Sequence, residues 1–246
     1  MANSDSVACN VSIIDTHRAE FEIDIPLPSG STGLQDITVS PDGKLVFVSH
    51  VLARYTVPTT QLERGWMNTN AISIIDARFK TLLETVLLDD VDHGAANPWA
   101  LACTSDSKLL CVTHAGTHEL SVIKILPMIN KIFAHRRRNK VRDERFTGVP
   151  YSSYDYGSGS GSNIPNELSF LYGVRERIKL PGNGPRSLAI VGRKAYVGEY
   201  FTDSLAVVDI SEGSSHKTSS VALGPKIPMT IERRGEMIFN DALICF

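Results

Sequence analysis

Short runs of Val, Ile, Leu and Phe recur along the chain, alternating with polar residues at a period of two, and Gly, Pro, Asp and Ser fill the gaps. That pattern predicts half-buried strands joined by tight turns. One run recurs, with a polar second position in three of its four copies: Val11-Ser-Ile-Ile-Asp15, Ile72-Ser-Ile-Ile-Asp76, Leu120-Ser-Val-Ile-Lys124 and Leu205-Ala-Val-Val-Asp209. Ahead of three copies stands a second run, Phe47-Val-Ser-His50, Cys111-Val-Thr-His114 and Tyr196-Val-Gly-Glu199. A turn and a further apolar run precede it. The turn is Ser40-Pro-Asp-Gly-Lys44 in one copy, where Pro presets φ and Asp-Gly supplies a positive φ; Thr104-Ser-Asp-Ser-Lys108 and Val191-Gly-Arg-Lys194 are degraded versions. A fourth strand, Glu22-Ile-Asp-Ile-Pro-Leu27, Leu83-Glu-Thr-Val-Leu-Leu88 or Arg177-Ile-Lys-Leu180, closes each unit.

A tandem repeat of four antiparallel strands selects a β-propeller, each unit being one blade. The copies predict the last two strands of one blade, three full blades, and one innermost strand at Ile227–Glu232, fifteen strands in all. A minimal four-bladed ring needs about sixteen, so the expectation is an incomplete ring of nearly four blades. Two insertions interrupt the period. The first, residues 51–69, separates second and third strands and contains Trp66. The second, residues 126–174, separates third and fourth strands; it opens with a short helix, carries the basic run His135-Arg-Arg-Arg-Asn-Lys-Val-Arg142, and ends in a Ser/Gly/Tyr-rich linker. Because Asp143 and Glu144 follow the basic run, it reads as solvated.

Composition narrows the classes of partner. Twenty-five Lys and Arg stand against 27 Asp and Glu, a net charge of −2, so no basic field recruits nucleic acid. The apolar stretch Val122–Phe133 is interrupted by Lys124 and Lys131 and is too short to span a bilayer. The first residues lack the basic and apolar regions of a signal peptide. The cysteines at 9, 103, 111 and 245 form no Cys-x-x-Cys pair, which removes zinc ribbons, thioredoxin-like motifs and covalent haem attachment within this chain. Cys103 and Cys111 fall on apolar strand positions and read as buried free thiols.

The repeat resembles the YVTN-type, WD40-like β-propeller family, on Phe47-Val-Ser-His50, Cys111-Val-Thr-His114 and Tyr196-Val-Gly-Glu199 with their following Ser-Ile-Ile-Asp-like strands. That resemblance implies a ring of about seven blades. The end of the chain, Arg233-Arg-Gly-Glu-Met-Ile-Phe-Asn-Asp-Ala-Leu-Ile-Cys-Phe246, is similar to the Gly-Glu-x-Leu-Phe-x-Asp opening of di-haem cytochrome c peroxidase-like domains. The domain reading is therefore residues 1–232 as partial propeller and 233–246 as the start of a truncated cytochrome c-like segment. No cofactor is assigned to this chain; haem c is implied for a downstream part, and the resemblance implies a periplasmic or extracellular location. The implied parent is a peroxidase-like oxidoreductase, while this segment itself reads as non-catalytic. A cytochrome c-like part of the same parent is the implied partner.

Candidate chemistry is sparse. His50 and His114 end second strands at equivalent positions and read as rim histidines bonded to the loop between second and third strands rather than as metal ligands; His118, four residues after His114, does not share a face with it on a strand. No Gly-x-Ser-x-Gly turn supports a hydrolase. Gly182-Asn-Gly-Pro-Arg186 leads into a strand and reads as a blade-to-blade connection, not a phosphate loop. Aligning the copies puts Gln35, Trp99, Arg186 and Lys226 at one position on the face that also carries His50 and His114. Two cations and an indole around a channel mouth suit an anionic group or a protein partner. The competing reading is a propeller that binds protein or glycan with no redox role; a propeller enzyme with its own channel site is the third class.

Overall fold

The computed structural model describes residues 9–53, 67–145, 164–213, 215–225 and 228–245. Its strands are β1 (Asn10–Asp15), β2 (Glu20–Pro26), β3 (Ser31–Val39), β4 (Leu45–Ala53), β5 (Asn68–Asp76), β6 (Thr81–Leu87), β7 (Pro98–Cys103), β8 (Leu109–His114), β9 (Glu119–Lys124), β10 (Arg175–Lys179), β11 (Pro185–Val191), β12 (Lys194–Glu199), β13 (Ser204–Asp209) and β14 (Thr218–Ala222). They form a β1–β2 hairpin and three four-stranded antiparallel sheets, β3–β6, β7–β10 and β11–β14, each meandering from first to last strand. The first strands β3, β7 and β11 stand side by side in that order. This is an incomplete propeller, and the hairpin occupies the place of a blade's third and fourth strands.

The turns show why the repeat survives its sequence decay. In the first full blade Ser40 Oγ donates to Asp42 Oδ1 at 2.6 Å and accepts from Leu45 N at 3.0 Å. In the second, Thr104 Oγ1 donates to Asp106 Oδ1 at 2.7 Å and accepts from Leu109 N at 3.0 Å. Both Asp residues accept from the Lys amide two residues on. The conserved chemistry is a hydroxyl two residues before a carboxylate, so loss of Pro-Gly leaves the turn intact, with Ser107 taking the positive φ of Gly43. At the same end of the blades, after the third strand, Asp15, Asp76 and Asp209 each cap a turn by accepting from amides two or three residues ahead.

Blades pack face to face through the alternate residues of each strand. Phe47, Ile72, Ile74, Val86 and Leu88 of the first full blade meet Leu101, Leu110, Val112 and Ile123 of the second. Cys111, Leu120, Val122, Ile178 and Leu180 of the second meet Ala195, Val197, Ala206, Val208 and Ile210 of the third. Val11, Ile13, Ile25 and Leu27 of the hairpin cover Val46, Val48 and Ile75 in the same register. Each fully buried Ile or Leu in these layers contributes about 1.5–3 kcal/mol.

Three expectations change. The second insertion opens with α1 (Ile125–Arg145), 21 residues long rather than short. Its Ile125, Met128 and Ile132 recur at helical spacing and enter the core between the first two full blades, together with Ile164, Phe170 and Leu171. Second, its basic run is only partly solvated: Arg137 and Arg138 are exposed, but Arg136 is bound to the buried Glu84 and to the Leu83 carbonyl. Third, no strand forms at 228–232. Thr230 is instead an N-cap, its side chain accepting from Arg233 N, and α2 (Ile231–Asn240) begins there, leaving fourteen described strands. In the first insertion, β4 and β5 extend inward to Ala53 and Asn68; Trp66 lies outside the described residues.

Candidate functional site

The face formed by the blade-to-blade connections gathers part of the predicted set. Arg186, at the start of β11, lies with its guanidinium carbon 4.7 Å from the Trp99 ring, 4.4 Å from Tyr200 and 5.0 Å from Phe201. Trp99 begins β7 of one blade, whereas Tyr200 and Phe201 follow β12 of the next, so the stack bridges two blades. Gly184 makes it possible: its φ is +67°, and a Cβ there would lie 2.5 Å from the Phe201 ring. The sequence reading brought Trp99 and Arg186 together correctly but missed Tyr200 and Phe201; the signal was an aromatic pair directly after Glu199. Gln35 stands apart, exposed beside a hollow of about 300 Å³ between the hairpin and the first full blade. Lys226 lies outside the described residues.

Helix α2 covers the stack. Glu236 Oε1 accepts from Arg186 Nη1 at 3.1 Å. Arg233 Nη2 donates to the Tyr200 carbonyl at 2.6 Å and to Asp203 Oδ1 at 2.7 Å. Beyond the helix, Asp241 Oδ1 lies 3.3 Å from His118 Nε2, and Ala242 N donates to the Gly116 carbonyl at 3.0 Å. His118 Nδ1 accepts from Gly184 N at 3.1 Å, which assigns the ring proton to Nε2, facing Asp241. Arg233, Glu236, Met237 and Asn240, three polar residues and one methionine, face the propeller; Ile231 and Phe239 are 87% and 89% exposed.

His50 and His114 are not rim residues. Both are fully buried. His50 Nε2 lies 2.8 Å from Ser73 Oγ, which reaches on to Thr85 Oγ1 at 2.7 Å, while Nδ1 lies 3.2 Å from the Val51 carbonyl. His114 repeats this, with Nε2 2.7 Å from Ser121 Oγ and Nδ1 3.2 Å from the Ala95 carbonyl. Each Nδ1–H therefore donates to a carbonyl and each Nε2 accepts from a third-strand serine, so neither ring has a lone pair free for a metal. Burial pushes the His50 pKa down to about 4 and that of His114 well below 6.5, the latter also disfavoured by Arg177 and Arg175. In the last blade the serine position is Ala206, and Glu199 instead accepts from Ser204 Oγ and Gly182 N.

A second cluster escaped the sequence reading. Arg175 and Arg177 alternate along β10 and clamp the connection between the first two full blades. Arg175 binds the Leu88 carbonyl and Asp90; Arg177 binds Asp90 at 3.1 Å, the His93 and Gly94 carbonyls at 3.0 and 2.6 Å, and Glu119. Beneath them Asp89 is buried, its pKa raised by desolvation, with three N–H groups from Asn70 and Ala95 on its oxygens. A hollow of about 370 Å³ lined by Asp90, Asp92, Ser169, Tyr172 and the two arginines borders the clamp. The terminal nitrogens of Arg177 are engaged by the loop and by Glu119, with its Nε left without a hydrogen-bond partner, and Arg175 holds the Leu88 carbonyl and Asp90, so the cluster positions backbone. Cys111 and Cys103 are free thiols, buried and half-buried, their pKa values pushed up to about 12 and 11 by burial, which keeps them protonated near neutral pH.

The class this architecture defines is an all-β propeller of four-stranded antiparallel blades. The chain is similar to hydrazine synthase subunit beta of Kuenenia stuttgartiensis, 24% identical over 183 residues, covering 72% of this chain and 41% of that protein. Its structure is similar to a solved chain of Kuenenia stuttgartiensis hydrazine synthase, with a TM-score of 0.64 at 21% identity, over 87% of this chain and 54% of that one. A further similar structure is the Cps50 (Swd1) β-propeller domain of Myceliophteria thermophila, with a TM-score of 0.47 at 13% identity, over 91% of this chain and 58% of that one. No protein-family model matches. This chain thus spans about half the length of the proteins it resembles, and likeness at these identities shows the fold. Among the described residues no helix is long and apolar enough to cross a membrane.

Proposed function

We propose that this chain is a non-catalytic propeller serving as scaffold and docking module of a larger haem-containing, peroxidase-like or electron-transfer protein. The observation that carries the reading is the seating of α2 on the Arg186 stack, because α2 lies in the segment similar to the opening of a cytochrome c-like domain. Similarity to a protein named as one subunit of hydrazine synthase supports a role in an assembly. The chain's own cysteines lack the adjacent pair and His that covalent haem needs, so its residues do not fit haem c; that group belongs to the neighbouring part, in a periplasmic or extracellular compartment. The test is purification of the natural-length gene product, tagged on these residues, from a host that attaches haem c. A haem-staining band on the same or a co-purifying polypeptide, weakened in its coupling by Arg186→Glu, is the expected result. A haem-free preparation that still captures a protein or glycan partner favours the binding module without a redox role.

A further inference from the structure

The contact between α2 and the propeller is built differently from every blade-to-blade contact. No side chain of α2 is buried, and the helix docks through Arg233, Glu236, Asn240 and the single apolar residue Met237, while Ile231, Ile238 and Phe239 face outward. Three buried atoms along this contact have no hydrogen-bond partner: Arg186 Nε, Arg233 Nε and His118 Nε2, the last close to Asp241 but out of line for a bond. Unpaired buried donors and half-exposed ion pairs make an interface that holds weakly. Alone, a ten-residue helix with Gly235 in its middle is not stable in water, so α2 folds only while docked.

The surface beneath is preformed without α2. The three rings that hold Arg186 all belong to the propeller, and Gly184 fixes Phe201 under the guanidinium. Beside Arg186 lies Asp203, the acceptor for Arg233. The bared surface would therefore offer one cation and one carboxylate, spaced to receive a carboxylate and a cation one helical turn apart, as Glu236 and Arg233 are.

We infer that α2 is a releasable strap over a helix-docking site, and that the partner which displaces it is a protein helix presenting a cation and a carboxylate at i and i+3. The inference rests on reading the Arg186 face as a docking face. It identifies the partner by charge pattern and makes the chain's own Glu236 the competitor that keeps the site closed.

The probe is a fluorescent peptide of residues 229–243, added in trans to the 246-residue chain, together with hydrogen exchange of the α2 amides. Glu236→Ala speeds exchange across α2 by about two- to fivefold, the value of one half-exposed ion pair. Glu236→Lys opens the strap further, and the peptide then binds at least about tenfold more tightly than to the unaltered chain. Replacing Glu236 of the peptide by alanine, or Arg186 by Gln in the chain, removes that gain. Equal affinity for the unaltered and Glu236→Lys chains, or unchanged exchange in α2, would overturn the inference and make α2 a fixed element. Peptide exchange is measured without haem, so it can succeed where the haem-coupled reading fails, and fail where that reading holds.

Discussion

At the scale of single residues, His50 couples the fold to pH. Its ring is neutral in the native state because burial lowers its pKa from 6.5 to about 4, whereas the unfolded chain protonates it near 6.5. The unfolded state thus binds more protons between those values, and the stabilisation is complete above pH 6.5 and lost as pH falls towards 4. At about 1.4 kcal/mol per unit, that is roughly 3 kcal/mol. His114, shifted the same way, adds to the loss. Denaturant titrations from pH 7 to 4 should show the unaltered chain losing about 3 kcal/mol more than His50→Asn, which has no titrating ring; parallel losses would show that His50 does not titrate on unfolding. The equivalence of the two histidines was legible in the repeat, but their burial was not. A His ending a strand reads alike whether it faces solvent or a serine one strand over. The missed clue was the polar second position of Ser-Ile-Ile-Asp: Ser73 and Ser121 sit among buried apolar neighbours, where a hydroxyl needs a partner.

At the scale of elements, the connection 181–184 decides the geometry of the Arg186 stack. Gly184→Ala places a methyl 2.5 Å from the Phe201 ring at a φ of +67°, so either the loop or the ring must move. A cost of about 1–3 kcal/mol is expected from backbone strain and overpacking. Displacement of Phe201 should also alter the emission of Trp99, read in a Trp66→Phe background. A lowered melting temperature with unchanged emission would mean that the loop alone yields. The same scale explains where the repeat misled. Extending the blade pattern past Ala222 made Ile227–Glu232 a strand because apolar residues alternate there, yet Thr230 with Glu232 in the first turn is a helix start, and the N-cap bond decides for α2. The four-stranded unit was legible because its Asp-anchored turns tolerate sequence decay. The i, i+3, i+7 spacing of Ile125, Met128 and Ile132 marks only the first turns of the 21-residue helix, and the basic run from His135 onward carries no apolar stripe to show that the helix continues.

At the scale of the molecule, one blade face repeats three times and is covered twice. Phe47, Ile72, Ile74, Val86 and Leu88 meet the second full blade, and their equivalents Cys111, Leu120, Val122, Ile178 and Leu180 meet the third. In strand register the next equivalents are Tyr196, Leu205, Val207, Val221 and Leu223, and among the described residues no sheet covers them. Val221 is 52% exposed and Leu223 65%. A contiguous apolar patch with a ready-made blade-packing shape, flanked by the outer strand β14, favours association with another sheet. The 246-residue chain is therefore expected to self-associate with rising concentration in light scattering. Val221→Lys with Leu223→Lys should shift it towards monomer while leaving the melting temperature within a few degrees, since both side chains are already exposed and contribute little to the intramolecular core. A chain that stays monomeric at all concentrations, or association indifferent to these two charges, would show that this face is not the sticky one and that the outward stripe of α2 must be tested next.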